Sequence, residues 1–500
     1  MRTALVLLAA LLAWMPLHAQ GDVPKPEAKP PETKAVDAKA ADAAKPAAPE
    51  TKLPGKWFAL KGATIHTVSG PVLQGATILV KDSKIVDVGQ EINIPAGTEV
   101  IDATGKHVCP GFVAIAAKGP LGLRNASGKE KGEHRFDPFA DFMVLALANG
   151  ITTAHESGGM ADFAGLFGFS GSAFTGSHTG VLGGTVGKLT HGTVEGFALR
   201  EPAALYLNSP VPQGGGAIAE QRDLFERAKK HRAARKAWLK ELAGGKKDAQ
   251  EPKTDEACTA LAEAMDGDIP VFYYADNRRH IEHALGLAAE FGVPVVLHTA
   301  QEAWTIPAEV GRHARGVVLL PRGLGVRGTR PYTDPNVSAP HGWRIDNPAI
   351  MQRTGVPWAV LTLNTGITTT LLGGRDLMGL HLEAAFAVRG GVTDAEALRA
   401  ITLTPAELLQ VSDRVGSLEV GKDADLLLLD REPLDYRAFV EKAWVNGRVA
   451  YDEEVTPLYG HIQTDRRQAP RKWKPWGIWG ELPDQKEVVP LPDGSTPAVK

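Results

Sequence analysis

Between residues 110 and 404 short apolar runs of strand length alternate with helical stretches. That alternation constrains the fold more than any other feature of the chain. Runs at 270–274, 293–297, 316–320 and 358–363 are rich in Val, Leu and aromatic side chains, and Gly150-Ile151-Thr152-Thr153-Ala154 reads as a further strand. Continuous apolar runs without a polar face suit strands covered on both sides, as in parallel sheets walled by helices. The pattern predicts an α/β fold, a (β/α)8 TIM-like barrel over 110–404. A charged helix over 217–242, followed by Gly244-Gly245-Lys246-Lys247, reads as part of a helical insertion at 215–266 on the barrel periphery.

Both flanks of this middle are β-rich. Residues 63–68, 76–80 and 84–88 read as strands, with Asp82-Ser83 as a turn. At the far end, 425–430 reads as a buried strand and 443–449 as a hairpin about Asn446-Gly447. The expectation is one composite β-sandwich built from residues 55–109 and 405–455, followed by an extended tail over 456–500 carrying Trp473, Trp476 and Trp479. Packing of those tryptophans against the barrel wall is the expectation for the tail.

The first 19 residues, with Arg2, an apolar run and Pro16-Leu17-His18-Ala19, read as a secretory signal peptide, which places the chain in the periplasm or outside the cell. Residues 20–54 are almost wholly Pro, Ala, Lys, Glu and Asp, a tract too poor in apolar surface to offset its chain entropy. No transmembrane helix is expected in the mature chain. With two cysteines, Cys109 and Cys258, there is no disulfide framework, and two free thiols are expected. A formal charge of −3 and the lack of a basic motif argue against nucleic acid as a partner.

The run Ser412-Asp413-Arg414-Val415-Gly416-Ser417-Leu418-Glu419-Val420-Gly421-Lys422-Asp423-Ala424-Asp425 resembles the C-terminal hairpin of the amidohydrolase superfamily, in its imidazolonepropionase-like branch. The helix at 393–400, Thr402-Leu403-Thr404-Pro405-Ala406, Gly150-Ile151-Thr152-Thr153 and Cys109-Pro110-Gly111-Phe112-Val113 are similar to the same family. The resemblance covers about residues 56–451. It implies a barrel with one or two divalent metals, zinc foremost, at its C-terminal end, and hydrolysis of non-peptide or small-peptide C–N bonds. Its ligands would be a His pair on the first strand, a lysine or acid on the fourth, a His on each of the fifth and sixth, and an Asp on the eighth, which also shuttles the proton.

Against that pattern Ala116 and Lys118 stand where the His pair belongs, Tyr274 where the fifth-strand His belongs, and Asn364 where the eighth-strand Asp belongs. His298 matches a ligand position and Lys188 aligns with the bridging lysine. A catalytic zinc keeps three protein ligands and an open position, which this set does not supply. An inward Lys118 at about 4 Å would cost a divalent ion roughly 8 kcal/mol at an effective dielectric near 20. Asn364 has the shape of Asp but cannot take a proton.

The expectation is therefore a superfamily member without a bound metal or cofactor. It would be a non-catalytic paralogue that binds a small-molecule ligand, or that supports an active relative in a homo- or hetero-oligomer. The rival reading is an active hydrolase with a rebuilt site drawn from His298, Lys188, His155, Glu156, Tyr274 and Asn364. His155-Glu156 at a strand end reads first as a simple polar loop, with ligand binding as the lesser reading. Residues 180–188 lack P-loop spacing, since Leu182 and Leu189 occupy required positions. His178, His191 and His341 have no i, i+4 pair that would mark a helical metal site.

Overall fold

The computed structural model describes residues 55–117, 119–123, 132–156, 177–210, 215–246, 248–321, 342–361 and 379–458. The expected leader and linker segments (1–54), residues 459–500, Lys118, His341 and Asn364 lie outside these residues. The strands are β1 (Trp57–His66), β2 (Val72–Lys81), β3 (Lys84–Gly89), β4 (Glu99–Asp102), β5 (His107–Pro110), β6 (Phe112–Ala114), β7 (Ile151–Glu156), β8 (Val181–Gly183) and β9 (Thr185–Lys188). They continue with β10 (Ala198–Arg200), β11 (Ala204–Asn208), β12 (Val271–Ala275), β13 (Val295–Thr299), β14 (Ala314–Leu319), β15 (Trp358–Val360), β16 (Leu426–Leu429), β17 (Val440–Val445) and β18 (Arg448–Asp452).

The two β-rich flanks do meet, but in a single eight-stranded sheet. Its order is β18-β17-β16-β5-β1-β2-β3, with β4 beside β1. The expected sandwich, two sheets face to face, is not what forms among the described residues. The reason is the antiparallel pairing of β16 on β5, with Leu427 opposite Cys109, which joins both flanks edge to edge. Phe58, Leu60, Ile65, Ile78, Val80, Val108, Leu426, Leu428 and Trp444 form this sheet's own core. Cys109 and Cys258 are both free and buried, as expected.

The middle is mixed α/β, with two sheets. One runs β10-β9-β7-β6 and the other β15-β14-β13-β12-β11-β8. Strands β11 to β15 pair in parallel, and an isolated parallel bridge between Ile115 and Leu361 links the two sheets past the end of β6. A closed eight-stranded barrel is not seen among the described residues. Strand alternation assigns the faces. Val113, Ile115, Val186, Tyr206, Phe272, Val296, Val318 and Ala359 form one buried cluster, whereas Phe112, Ala114, Tyr273, Val295, Leu297 and Val317 pack in the cluster that carries the helices.

Helices follow where capping signals allow. Helix α1 (Asp141–Ala148) precedes β7. Helix α2 (Gly215–Ala243) buries Gln221, Leu224, Phe225 and Ala228 in its first half and is tied beyond that to α3 (Glu256–Ala264) and the turn after it by Arg232–Asp266 and Arg235–Glu263 ion pairs. Helix α4 (Arg278–Phe291) starts on Asn277, whose side chain accepts from the His280 amide, and stops at left-handed Gly292.

Candidate functional site at the strand ends

Strands β6, β7, β11, β12 and β13 bring their inward side chains to one end, where the sequence-expected residues collect. His155 is the hub. Its Nδ1 accepts a 3.2 Å hydrogen bond from the Ala116 amide, and its Nε2 lies 2.6 Å from the Tyr206 hydroxyl. An imidazole nitrogen that accepts an amide N–H carries no proton, so Nε2 holds it and donates to Tyr206. Burial pushes His155 down to about 3, and the ring is neutral at pH 7.

Tyr274 and His298 face each other across the β12–β13 register, their rings 6.1 Å apart. His298 Nδ1 lies 3.0 Å from the Thr299 hydroxyl. Burial, with a smaller contribution from His155, lowers His298 to about 3. Burial and Asp276 raise Tyr274 to about 12. Phe272 packs on both His155 and Tyr206. The backbone here is strained. Ala116, Thr299 and Ala300 have φ of 56°, 78° and 22°, the left-handed region that side chains other than glycine rarely enter. The turn at Ala116 is what delivers its amide to His155.

Glu156 points the other way, as its neighbour position on the strand requires. Its carboxylate accepts from the Leu121 amide at 2.9 Å, and burial outweighs that bond, the one from Gly119 and the Arg135 charge, raising it to about 7.

Lys188 lies elsewhere. Strand β9 runs antiparallel to β7, so Lys188 sits opposite Thr153 while Thr185 sits opposite Glu156. The lysine is thus displaced from the strand ends. Its fully buried ammonium contacts Asp423 Oδ2 at 2.6 Å, Asp425 Oδ2 at 3.0 Å and Asn446 Oδ1 at 2.7 Å. It pins the middle of the chain to the C-terminal flank and cannot bridge metals. A cleft of about 700 Å³ borders this cluster, but its rim mixes Lys84, Arg414 and Arg448 with Asp82 and Glu195 and favours no charge type.

The described strand-end residues do not fit a catalytic metal. They offer two neutral imidazoles and two phenols. Both ring nitrogens of His155 are already engaged, and Glu156 faces away. The expectation that the chain as a whole holds no metal gains no support from this, because a different metal-competent group exists. His66, His107 and Glu432 bring three ligand atoms together on the eight-stranded sheet. Sequence reasoning missed them because they come from two strands and the segment after a third, with no local spacing. His107, two residues before the Cys-Pro-Gly-Phe run, was the nearest available signal.

Residues 354–451 match the model of the amidohydrolase family. The amidohydrolase tasK of Hapsidospora irregularis is 24% identical over 253 residues, 49% of this chain and 24% of that protein. A putative N-acetylgalactosamine-6-phosphate deacetylase of Escherichia coli strain K12 is 35% identical over 112 residues, 20% of this chain and 63% of that protein. A 5-methylthioadenosine/S-adenosylhomocysteine deaminase of Thermococcus onnurineus is 50% identical over 48 residues, 10% of this chain and 11% of that protein. The chain thus spans less than two thirds of these relatives. The solved amidohydrolase from Thermotoga maritima MSB8 is similar in fold, with a TM-score of 0.60 and 24% identity over 79% of this chain and all of that one. None of these singles out the imidazolonepropionase-like branch. Residues 354–451 are thus similar to the amidohydrolase family, and the fold of the chain is similar to that of a solved amidohydrolase.

Proposed function

We propose that the strand ends of this protein form a metal-free pocket that binds a small molecule and does not hydrolyse it. The observation that carries the reading is the Ala116 amide on His155 Nδ1: the position expected to hold a metal-binding imidazole instead supplies a backbone donor that occupies a neighbouring one. Neutral imidazoles and phenols on an apolar wall can hydrogen-bond a ligand, but they supply no hydroxide at pH 7. We further infer that the two middle sheets belong to one barrel-type domain, which the Ile115–Leu361 bridge supports. The leader-like first 19 residues support an exported location, and an oligomer with an active relative fits the same reading.

The test is turnover of a panel of N-acyl sugar phosphates, lactams and dipeptides, with zinc, manganese or ferrous iron added. The expected result is no turnover. Turnover that disappears in His298→Asn overturns the proposal. A second reading, a rebuilt C–N hydrolase, draws on Glu156, which at about 7 has the acidity of a general acid–base at neutral pH. Turnover lost in Glu156→Gln would establish it.

A further inference from the structure

We propose that His66, His107 and Glu432 form a zinc-binding site on the eight-stranded sheet, distinct from the strand-end pocket. The three side chains come from neighbouring elements. His66 ends β1, His107 begins β5 beside it, and Glu432 follows β16, the next strand over. The pairings β1–β5 and β5–β16 place them at one end of the sheet's central strands, and the whole set depends on the two β-rich flanks being joined.

The spacings suit three donors around one small cation. Nε2 of His66 and Nδ1 of His107 are 3.0 Å apart. The Glu432 carboxylate meets each ring with a different oxygen: Oε2 lies 3.5 Å from His66 Nε2 and Oε1 lies 3.6 Å from His107 Nδ1. Zinc bound by nitrogen or oxygen at about 2.0–2.1 Å has ligand-to-ligand edges of roughly 3.3 Å. The ring-to-ring distance of 3.0 Å and the carboxylate contacts of 3.5 and 3.6 Å bracket that value, and a rotation of the exposed Glu432 carboxylate would turn a single oxygen toward both rings. Two imidazoles and one carboxylate are also a donor set that zinc uses in sites with an open fourth position. The exposures agree with such a site: the His66 side chain is 10% exposed and that of His107 16%, whereas Glu432 is 64% exposed. The histidines form a recessed floor, and the carboxylate closes over it from the solvent side. The competing arrangement is a simple hydrogen bond between the two rings with Glu432 nearby, and it needs no metal.

The probe is zinc itself, added to chelator-treated full-length protein and followed by calorimetry and metal analysis. The expected result is one equivalent per chain, a raised melting temperature, and at least a tenfold loss of affinity in both Glu432→Gln and His107→Asn. Glu432 is exposed, so its variant folds whatever becomes of His107→Asn. No zinc uptake, or uptake unchanged in Glu432→Gln, overturns the assignment and leaves the hydrogen-bonded pair. The strand-end reading fails separately, if zinc remaining on Glu432→Gln is lost in the added His298→Asn substitution.

Discussion

Replacing Lys188 by methionine tests the most consequential contact outside the strand-end cluster. Methionine keeps the apolar stem and removes the ammonium. Lys188, Asp423 and Asp425 are all nearly or completely buried, and the lysine touches both carboxylates within 3.0 Å. After the substitution Asp423 keeps Lys84 at 2.6 Å and Arg414 at 2.8 Å. Asp425 keeps the Asn446 amide and, among the described residues, no cation. Burial alone would raise Asp423, yet Lys188 leads Lys84 and Arg414 in holding it below the usual carboxylate range. Removing one partner of a buried pair typically costs about 3–5 kcal/mol, because the remaining charge has neither water nor counter-ion. That range lowers the folded-to-unfolded ratio by roughly a hundred- to several-thousandfold. Urea unfolding followed by far-UV circular dichroism measures it. Lys188→Met combined with Asp425→Asn should cost less than the sum of the single changes, with a coupling of about 1–3 kcal/mol. A single-variant cost below about 1 kcal/mol, or strict additivity, would refute the claim that this ion cluster clamps the C-terminal flank to the middle of the chain.

Acid should destabilise the protein through His155 and His298. Both stay neutral when folded and take up a proton when unfolded, so their stabilisation is complete above about 6.5 and lost as pH falls toward 3, by roughly 1.4 kcal/mol per pH unit each. Glu156, raised to about 7, acts oppositely: its contribution is present below about 4.5 and lost as pH rises through 7. Urea midpoints between pH 7.5 and 5 should therefore fall with acid, more steeply in Glu156→Gln and less steeply in His298→Asn; a flat profile in the parent protein would contradict both neutral histidines. Gly111→Ala should destabilise by about 3 kcal/mol, because a Cβ there would lie 1.9 Å from Thr152 Oγ1 on the neighbouring strand. Thr152→Ala in the same chain should recover part of that loss; a neutral Gly111→Ala would show that the strand can shift.

Local chemistry made much of this readable before any coordinates. Gly111 in the Pro-Gly-Phe run is demanded by Thr152, and Gly416 in the C-terminal hairpin has φ of 96° with no room for a Cβ beside Leu403 and Thr402. Such steric needs leave a mark at one position. The Asn446-Gly447 turn and the four-leucine strand β16 are likewise local signals. What escaped is non-local. Nothing around Lys188 announces Asp423, because distant strands bring them together, and the motif alignment expected at the metal-binding strand ends a lysine that antiparallel β9 places opposite Thr153. His66, His107 and Glu432 are individually unremarkable polar residues at strand ends. The strand pattern also could not distinguish a sandwich from one continuous sheet, since both bury alternate residues in the same way.

The pairing of β5 with β16 has a consequence for synthesis. A ribosome releases β1 to β5 long before β16 exists, so the nascent chain must hold β5 with an unpaired edge while the whole middle is made. Such an edge is a template for pairing with other chains. Sheets closed by sequence-distant strands also form slowly. Premature termination anywhere in the middle would release a fragment with that edge uncovered, prone to association through β5. The last strands of this protein act as a cap on its first.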